Sequence, residues 1–215
     1  MTNVIIGNLD AILHGILITL ELSAVCIVGA GILGLIVGVM RVSPVGALQK
    51  LATFYIEVLR STPIPVIFVI IFFALPDMGI SLSPFVSASV GLSMYMASYV
   101  AEAVRSGVNS VAVGHIEAAR AIGLTQLEVL RFVVLPQAVR SVIPTLGNLS
   151  VDLIKDTSIA YTISVMEITG TATTLISKFA QPIPLFLAAA VCYLVLTVPT
   201  SVFFRRLEKT HTIIR

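Results

Sequence analysis

Apolar residues in this chain run in long uninterrupted blocks, broken by short polar clusters. The blocks cover about 15–40, 51–75, 84–104, 142–163 and 184–204. A helix that crosses a bilayer needs ~20 mostly apolar residues, so five spanning helices are expected. The first, third and fifth blocks read as clean. The second carries Glu57 and Arg60, and the fourth carries Asp152, Lys155 and Asp156, yet both stay apolar on balance. Ser43-Pro44 and Leu75-Pro76-Asp77 are turn signals at their borders.

The basic residues lie in alternate gaps between the blocks. Arg41 and Lys50 fall between the first and second, and Arg105, Arg120, Arg131 and Arg140 between the third and fourth. Arg205, Arg206, Lys209 and Arg215 follow the fifth, whereas the other gaps hold Lys178 alone. Basic residues accumulate on the cytoplasmic side of membrane proteins. The alternation therefore predicts an N-terminus outside and a C-terminus inside, as five crossings require.

Composition agrees with this reading. Of 215 residues, 57% are hydrophobic and 11% charged, and mean hydropathy is +1.05. Soluble domains carry about 25% charged residues. The net charge of +2 reflects topology, so no nucleic-acid partner is expected. Cys26 and Cys192 sit inside apolar blocks and read as packing residues. Residues 1–10 lack a basic segment, so a cleaved secretory signal is not expected.

One connection stands out. The segment from Arg105 to Ser141, roughly 37 residues, is longer than the ~12–15 beyond which a loop is usually functional. Ile116, Ala119 and Ile122 recur at helical spacing, and Gly123 is a helix stop. A second helical run from Thr125 to Val134 is expected to end at Pro136. Alanines at 118, 119 and 121 leave a slim surface for another protein.

Glu117-Ala118-Ala119, three residues, Gly123, nine residues, Val133, one residue and Leu135-Pro136 resemble the EAA loop of bacterial ABC importer permeases. Thr19 to Ser23, Tyr55 to Pro63, Ala97 to Glu102 and Leu153 to Ser158 are similar to the polar-amino-acid branch of that family. His115, where Gln is usual, Ser61, where many relatives have Gly, and Val133, where Ile is usual, depart from its pattern. The resemblance implies an all-α membrane protein with the type I ABC importer permease fold. It would be a single transmembrane permease domain over 1–215, with its core at about 15–204 and a coupling helix in 105–141. It also implies a bacterial inner (cytoplasmic) membrane location. Glu117, Ala118, Ala119, Gly123, Leu135 and Pro136 would couple the chain to an ATPase. The implied partners are two ATP-binding subunits, a second identical or paralogous permease chain and an extracellular or periplasmic substrate-binding protein. The implied substrate is a polar or charged amino acid.

Charges in the apolar blocks offer the candidate pathway. A charge at the bilayer centre costs ~2.5–3.5 kcal/mol on insertion scales, so such residues face an interior. Glu57 and Arg60 are three apart, hence on one helix face and able to neutralise each other in part. Thr62-Pro63-Ile64-Pro65 must interrupt the helix that follows. Arg60 suits the α-carboxylate of an amino acid and Glu57 its α-ammonium, with a structural ion pair as the other reading. Asp156, Ser158 and Lys155 form a second polar spot, read either as pathway or as packing. Glu102 and Arg105 read as a structural pair.

Other patterns fail on context. Gly29-Ala-Gly31-Ile-Leu-Gly34 has the dinucleotide spacing but no strand before it, so its glycines read as helix packing or a dimer contact. No phosphate-binding loop is present in the sequence. ATP and magnesium would therefore belong to partner subunits, and no metal, cofactor or catalytic residue is expected in this chain. An ATP-independent channel or secondary transporter accounts equally for the buried charges but leaves the helix–glycine–helix loop unexplained. An intramembrane enzyme lacks a nucleophile and base at one depth.

Overall fold

The computed structural model describes residues 2–211, and the ordered elements are helical throughout. Arg215, one of the tail cations, lies outside the described residues. A short α1 (Thr2–Ile6) precedes the long α2 (Leu9–Arg41), which contains the first apolar block. The second block is two helices, α3 (Gly46–Ser61) and α4 (Ile64–Val69). After α4 the chain passes through a π turn (Ile70–Ala74) and a 3-10 turn (Leu75–Met78). The axis bends by 104° at the break between α3 and the run that starts with α4.

The proline pair accounts for that break. Pro63 has no N–H, so the carbonyl of Leu59 loses its ordinary donor and takes the Thr62 amide at 3.4 Å. The Thr62 hydroxyl turns back to the Val58 carbonyl at 2.7 Å. Val66 and Ile67 then donate their amides to the Pro63 carbonyl, opening α4 in a new direction.

α5 (Pro84–Asn109) is the centre of the molecule and packs most extensively against α2. Ser83 caps its start, its hydroxyl accepting from the Val86 amide. Glycines set the closeness of α2 and α5. A Cβ at Gly34 would fall 2.5 Å from Val100 Cβ, and one at Gly38 would fall 2.8 Å from Val104 Cβ. In lipid there is no water to drive apolar surfaces together, so backbone approach through small residues is what binds helices. The glycine stripe of α2 is thus an intrachain seam.

The loop after α5 holds α6 (Val113–Ala121) and α7 (Gln126–Val129). From α7 a π turn (Leu130–Val134) leads without a stop into α8 (Leu135–Asp156). The expected end at Pro136 is therefore not observed. Leu135 donates its amide to the Leu130 carbonyl, a five-residue step that lets the chain pass a residue without an N–H. A 3-10 turn (Thr157–Ile163) ends this run, and α9 (Ile168–Phe179) and α10 (Pro182–His211) complete the described residues.

By length and composition three helical runs among the described residues are able to cross a membrane: 9–41, 126–163 and 182–208. The bent pair 46–61 with 64–78 makes a fourth. α5 is not among them, although its 26 residues are long enough. Ser87, Ser89, Gly91 and Ser98 lower its hydropathy, and all four are buried in the bundle. The third block is thus less cleanly apolar than expected, because these small polar residues lie among its apolar ones. Outside, α2 and α10 are coated with exposed leucine, isoleucine, valine and phenylalanine, a surface suited to lipid or to another membrane chain.

Candidate functional site

The loop builds a small core of its own. Ala119 of α6 is 6% exposed and packs with Val111, Val129 and Val134. The His115 ring nitrogen Nδ1 lies 3.0 Å from Gln137 Oε1, tying α6 to α8. Gly123 ends α6 in the left-handed region at φ +89°. Two residues later a capping box starts α7: the Thr125 hydroxyl accepts from the Glu128 amide, and the Glu128 carboxylate accepts from the Thr125 amide at 2.8 Å. The outward face carries Glu117 and Ala118, both exposed, with Val113, Ile122 and Leu127 at 67%, 79% and 74% exposure. Leu135 and Pro136 are exposed where α8 begins. Ala119 thus faces the loop core, while Glu117, Ala118 and Gly123 remain accessible.

The polar groups in the helices assemble differently from their sequence spacing. Glu57 and Arg60 are both exposed and form no ion pair among the described residues. Arg60 instead places its guanidinium 4.9 Å from the ring centroid of Tyr99 on α5, a cation–π contact. The Tyr99 and Tyr95 hydroxyls lie 2.9 Å apart. One cluster thus joins the end of α3 to the middle of α5, and Leu153 of α8, one turn before Asp156, packs in the same core as Tyr95. Thr62 borders it at the helix break. Lys155 pairs with Asp152 at 2.6 Å and not with Asp156, because the three-residue spacing puts those two on one face. Asp156 and Ser158 are half-buried and make no side-chain hydrogen bond among the described residues. The Glu102–Arg105 pair forms as expected, with Arg105 Nε 2.9 and 3.0 Å from the two carboxylate oxygens.

One polar centre was not anticipated. Glu167 is fully buried at the start of α9. Its Oε1 accepts from the Gly170 amide at 2.7 Å, and its Oε2 accepts from the Thr169 amide at 2.9 Å and the Tyr193 hydroxyl at 2.6 Å. Next to it, the Ile168 amide donates to the Thr19 hydroxyl of α2 at 3.2 Å. The elbow before α9 is thereby fastened to α2 and α10. A lone carboxylate between two apolar blocks, followed by a threonine-rich run, is the sequence signal that marks it.

An apolar-coated helical bundle with a polar cluster at a broken helix and a structured loop of small residues has the build of a membrane transport subunit. The chain belongs to the family of binding-protein-dependent transport system inner membrane components, whose model matches residues 30–211. It is 34% identical over 207 residues to a probable glutamine ABC transporter permease, GlnM, of Bacillus subtilis (strain 168), covering 96% of each chain. It is 35% identical over 205 residues to the glutamine transport system permease GlnP of Escherichia coli (strain K12), covering 94% of each. The octopine transport system permease OccM of Rhizobium radiobacter is 37% identical over 207 residues, covering 92% of this chain and 84% of that one. A crystal structure of an amino acid ABC transporter with histidines superposes with a TM-score of 0.91 at 28% identity over 96% of both chains. The MetNI methionine transporter shares the fold, at a TM-score of 0.80 and 21% identity.

Proposed function

We propose that this chain forms the translocation pathway of an ATP-driven importer for a polar amino acid, glutamine being the first candidate from its relatives. Five crossings, with α5 as the third, place the N-terminus outside and the loop between α5 and α8 in the cytoplasm of a bacterium. Two ATP-binding subunits supply the energy, each receiving the α6 helix of one permease chain. A second permease chain, identical or paralogous, completes the pathway, and an external binding protein delivers the substrate. No catalytic residue, metal or cofactor is assigned to this chain. The observation that carries the reading is the accessible face of α6, with Glu117 and Ala118 among exposed apolar side chains and a left-handed Gly123 at its end.

Alternating access then follows from two docked motors rocking the helical bundles around a shared interior. Arg60, steered by the Tyr99 ring, is the group for the substrate α-carboxylate. Asp156, half-buried at the end of α8, and Glu57, one turn before Arg60, are the anions for the α-ammonium. Thr62 and Ser158 add hydroxyls beside them.

The test is reconstitution of the whole transporter in liposomes with its binding protein and labelled glutamine. Uptake that needs ATP and is lost in Arg60→Ala, with assembly intact, supports the proposal. Uptake that proceeds down a gradient without ATP would favour a channel or secondary transporter.

A further inference from the structure

The face of α6 turned away from Glu117 holds the helix to the rest of the chain. His115 and Ala119 are one turn apart and share a side, while Glu117, two residues after His115, points the other way. Ala119 packs in the loop core with Val129 and Val134. His115 reaches past that core. Its Nδ1 lies 3.0 Å from Oε1 of Gln137, a residue on the first turn of α8 and 22 positions along the chain. An amide oxygen only accepts, so Nδ1 carries the proton and donates it. Among the described residues this is the one hydrogen bond between α6 and α8.

The start of α8 is itself fixed to the bundle. At Gly107 of α5 a Cβ would fall 3.0 Å from the Ala138 carbonyl oxygen, so the two helices touch there through backbone. The Ser110 hydroxyl, just after α5, donates to the Ser141 hydroxyl of α8 at 3.1 Å. The covalent route from α6 to α8 is different in kind. It passes the left-handed Gly123, then α7, then the π turn (Leu130–Val134), so it can bend at several points. The contact between His115 and Gln137 bypasses all of them.

We infer that the His115–Gln137 hydrogen bond is a strut that makes α6 move as one body with α8, which makes both residues positioning residues for energy coupling. The strut presupposes the proposed docking of an ATPase on α6. A pull on α6 is then delivered to the helix that ends at Asp156, one of the anions proposed for the substrate ammonium. Without the strut, α6 swivels about Gly123 and its short link to α5, and the bundle stays behind.

The experiment measures glutamine uptake and ATP hydrolysis together, in liposomes that hold the whole transporter with its binding protein. The readout is the number of molecules imported per ATP hydrolysed. His115→Leu and Gln137→Leu should each lower that ratio about three- to tenfold, as loss of one hydrogen bond shifts an equilibrium, while hydrolysis continues. The double variant should be no worse than either single one, since both remove the same bond. His115→Asn should restore the ratio, because its amide nitrogen stands where Nδ1 does and also donates. A merely structural role would lower yield or melting temperature and leave the ratio alone. An unchanged ratio in both single variants, or additive losses in the double one, would overturn the strut while ATP-driven uptake by the wild type stands. Wild-type uptake that needs no ATP would overturn the strut and the coupling reading together.

Discussion

A carboxylate enclosed by protein must fill its lone pairs from neighbouring donors, and Glu167 does so with two backbone amides and the Tyr193 phenol. Glu167→Ala strands the Thr169 and Gly170 amides and leaves the Tyr193 phenol only the Thr169 hydroxyl at 3.0 Å, at about 1–3 kcal/mol for each buried group left unpaired. The assembled transporter should melt several degrees lower, whereas Glu167→Gln, which keeps one acceptor oxygen, should lose less. Equal melting temperatures would mean that the clamp adds nothing. Gly123 is the other residue set by local geometry. A β-branched side chain at φ +89° costs ~1–3 kcal/mol and would reset the angle between α6 and α7. Gly123→Val should leave ATP hydrolysis in place while uptake falls, and unchanged uptake would remove Gly123 from the coupling path. The partners of charged residues are the part of this scale that sequence shows least well. Glu57-Arg60 and Asp152-Lys155 share the same spacing, yet only the second forms an ion pair, because Tyr99 on another helix takes Arg60.

At the scale of elements, packing of α2 on α5 depends on Gly34 and Gly38. Gly34→Leu forces a large side chain against Val100 and the Ala97 carbonyl, and overpacking of this kind costs ~1–3 kcal/mol. Its yield of folded protein in detergent should fall well below that of Gly31→Leu, whose Cβ would meet nothing within 4 Å. Comparable yields would refute the seam. Removal of the capping hydroxyl in Thr125→Ala should cost about 1 kcal/mol and loosen the start of α7, seen as faster amide exchange there. The helix break at Thr62-Pro63, the stop at Gly123 and the helices on either side of it were legible because proline and glycine act through local backbone chemistry. Passage through Pro136 was not, since a π turn depends on the helix that follows. α9 and Glu167 were hidden for a different reason: their meaning lies in contacts with α2 and α10, far away in sequence. The polar composition of α5 likewise makes sense only from its place inside the bundle.

At the scale of the whole molecule, an apolar-coated bundle is joined to a loop with an exposed, small-residue helix, and the proposed energy source is another protein. Membership in the binding-protein-dependent transport family rests on most of the chain, residues 30–211. The central claim is that α6 receives an ATPase, and purification of the tagged chain from its own membrane in mild detergent tests it most directly. The wild type and Glu117→Lys would be compared for the proteins that accompany them and for ATP hydrolysis. The account predicts a phosphate-loop ATPase with the wild type and its loss with Glu117→Lys, while the permease itself stays folded. An ATPase held equally by both would contradict docking through the Glu117 face, and none with either under several gentle conditions would contradict the ATP-driven mechanism.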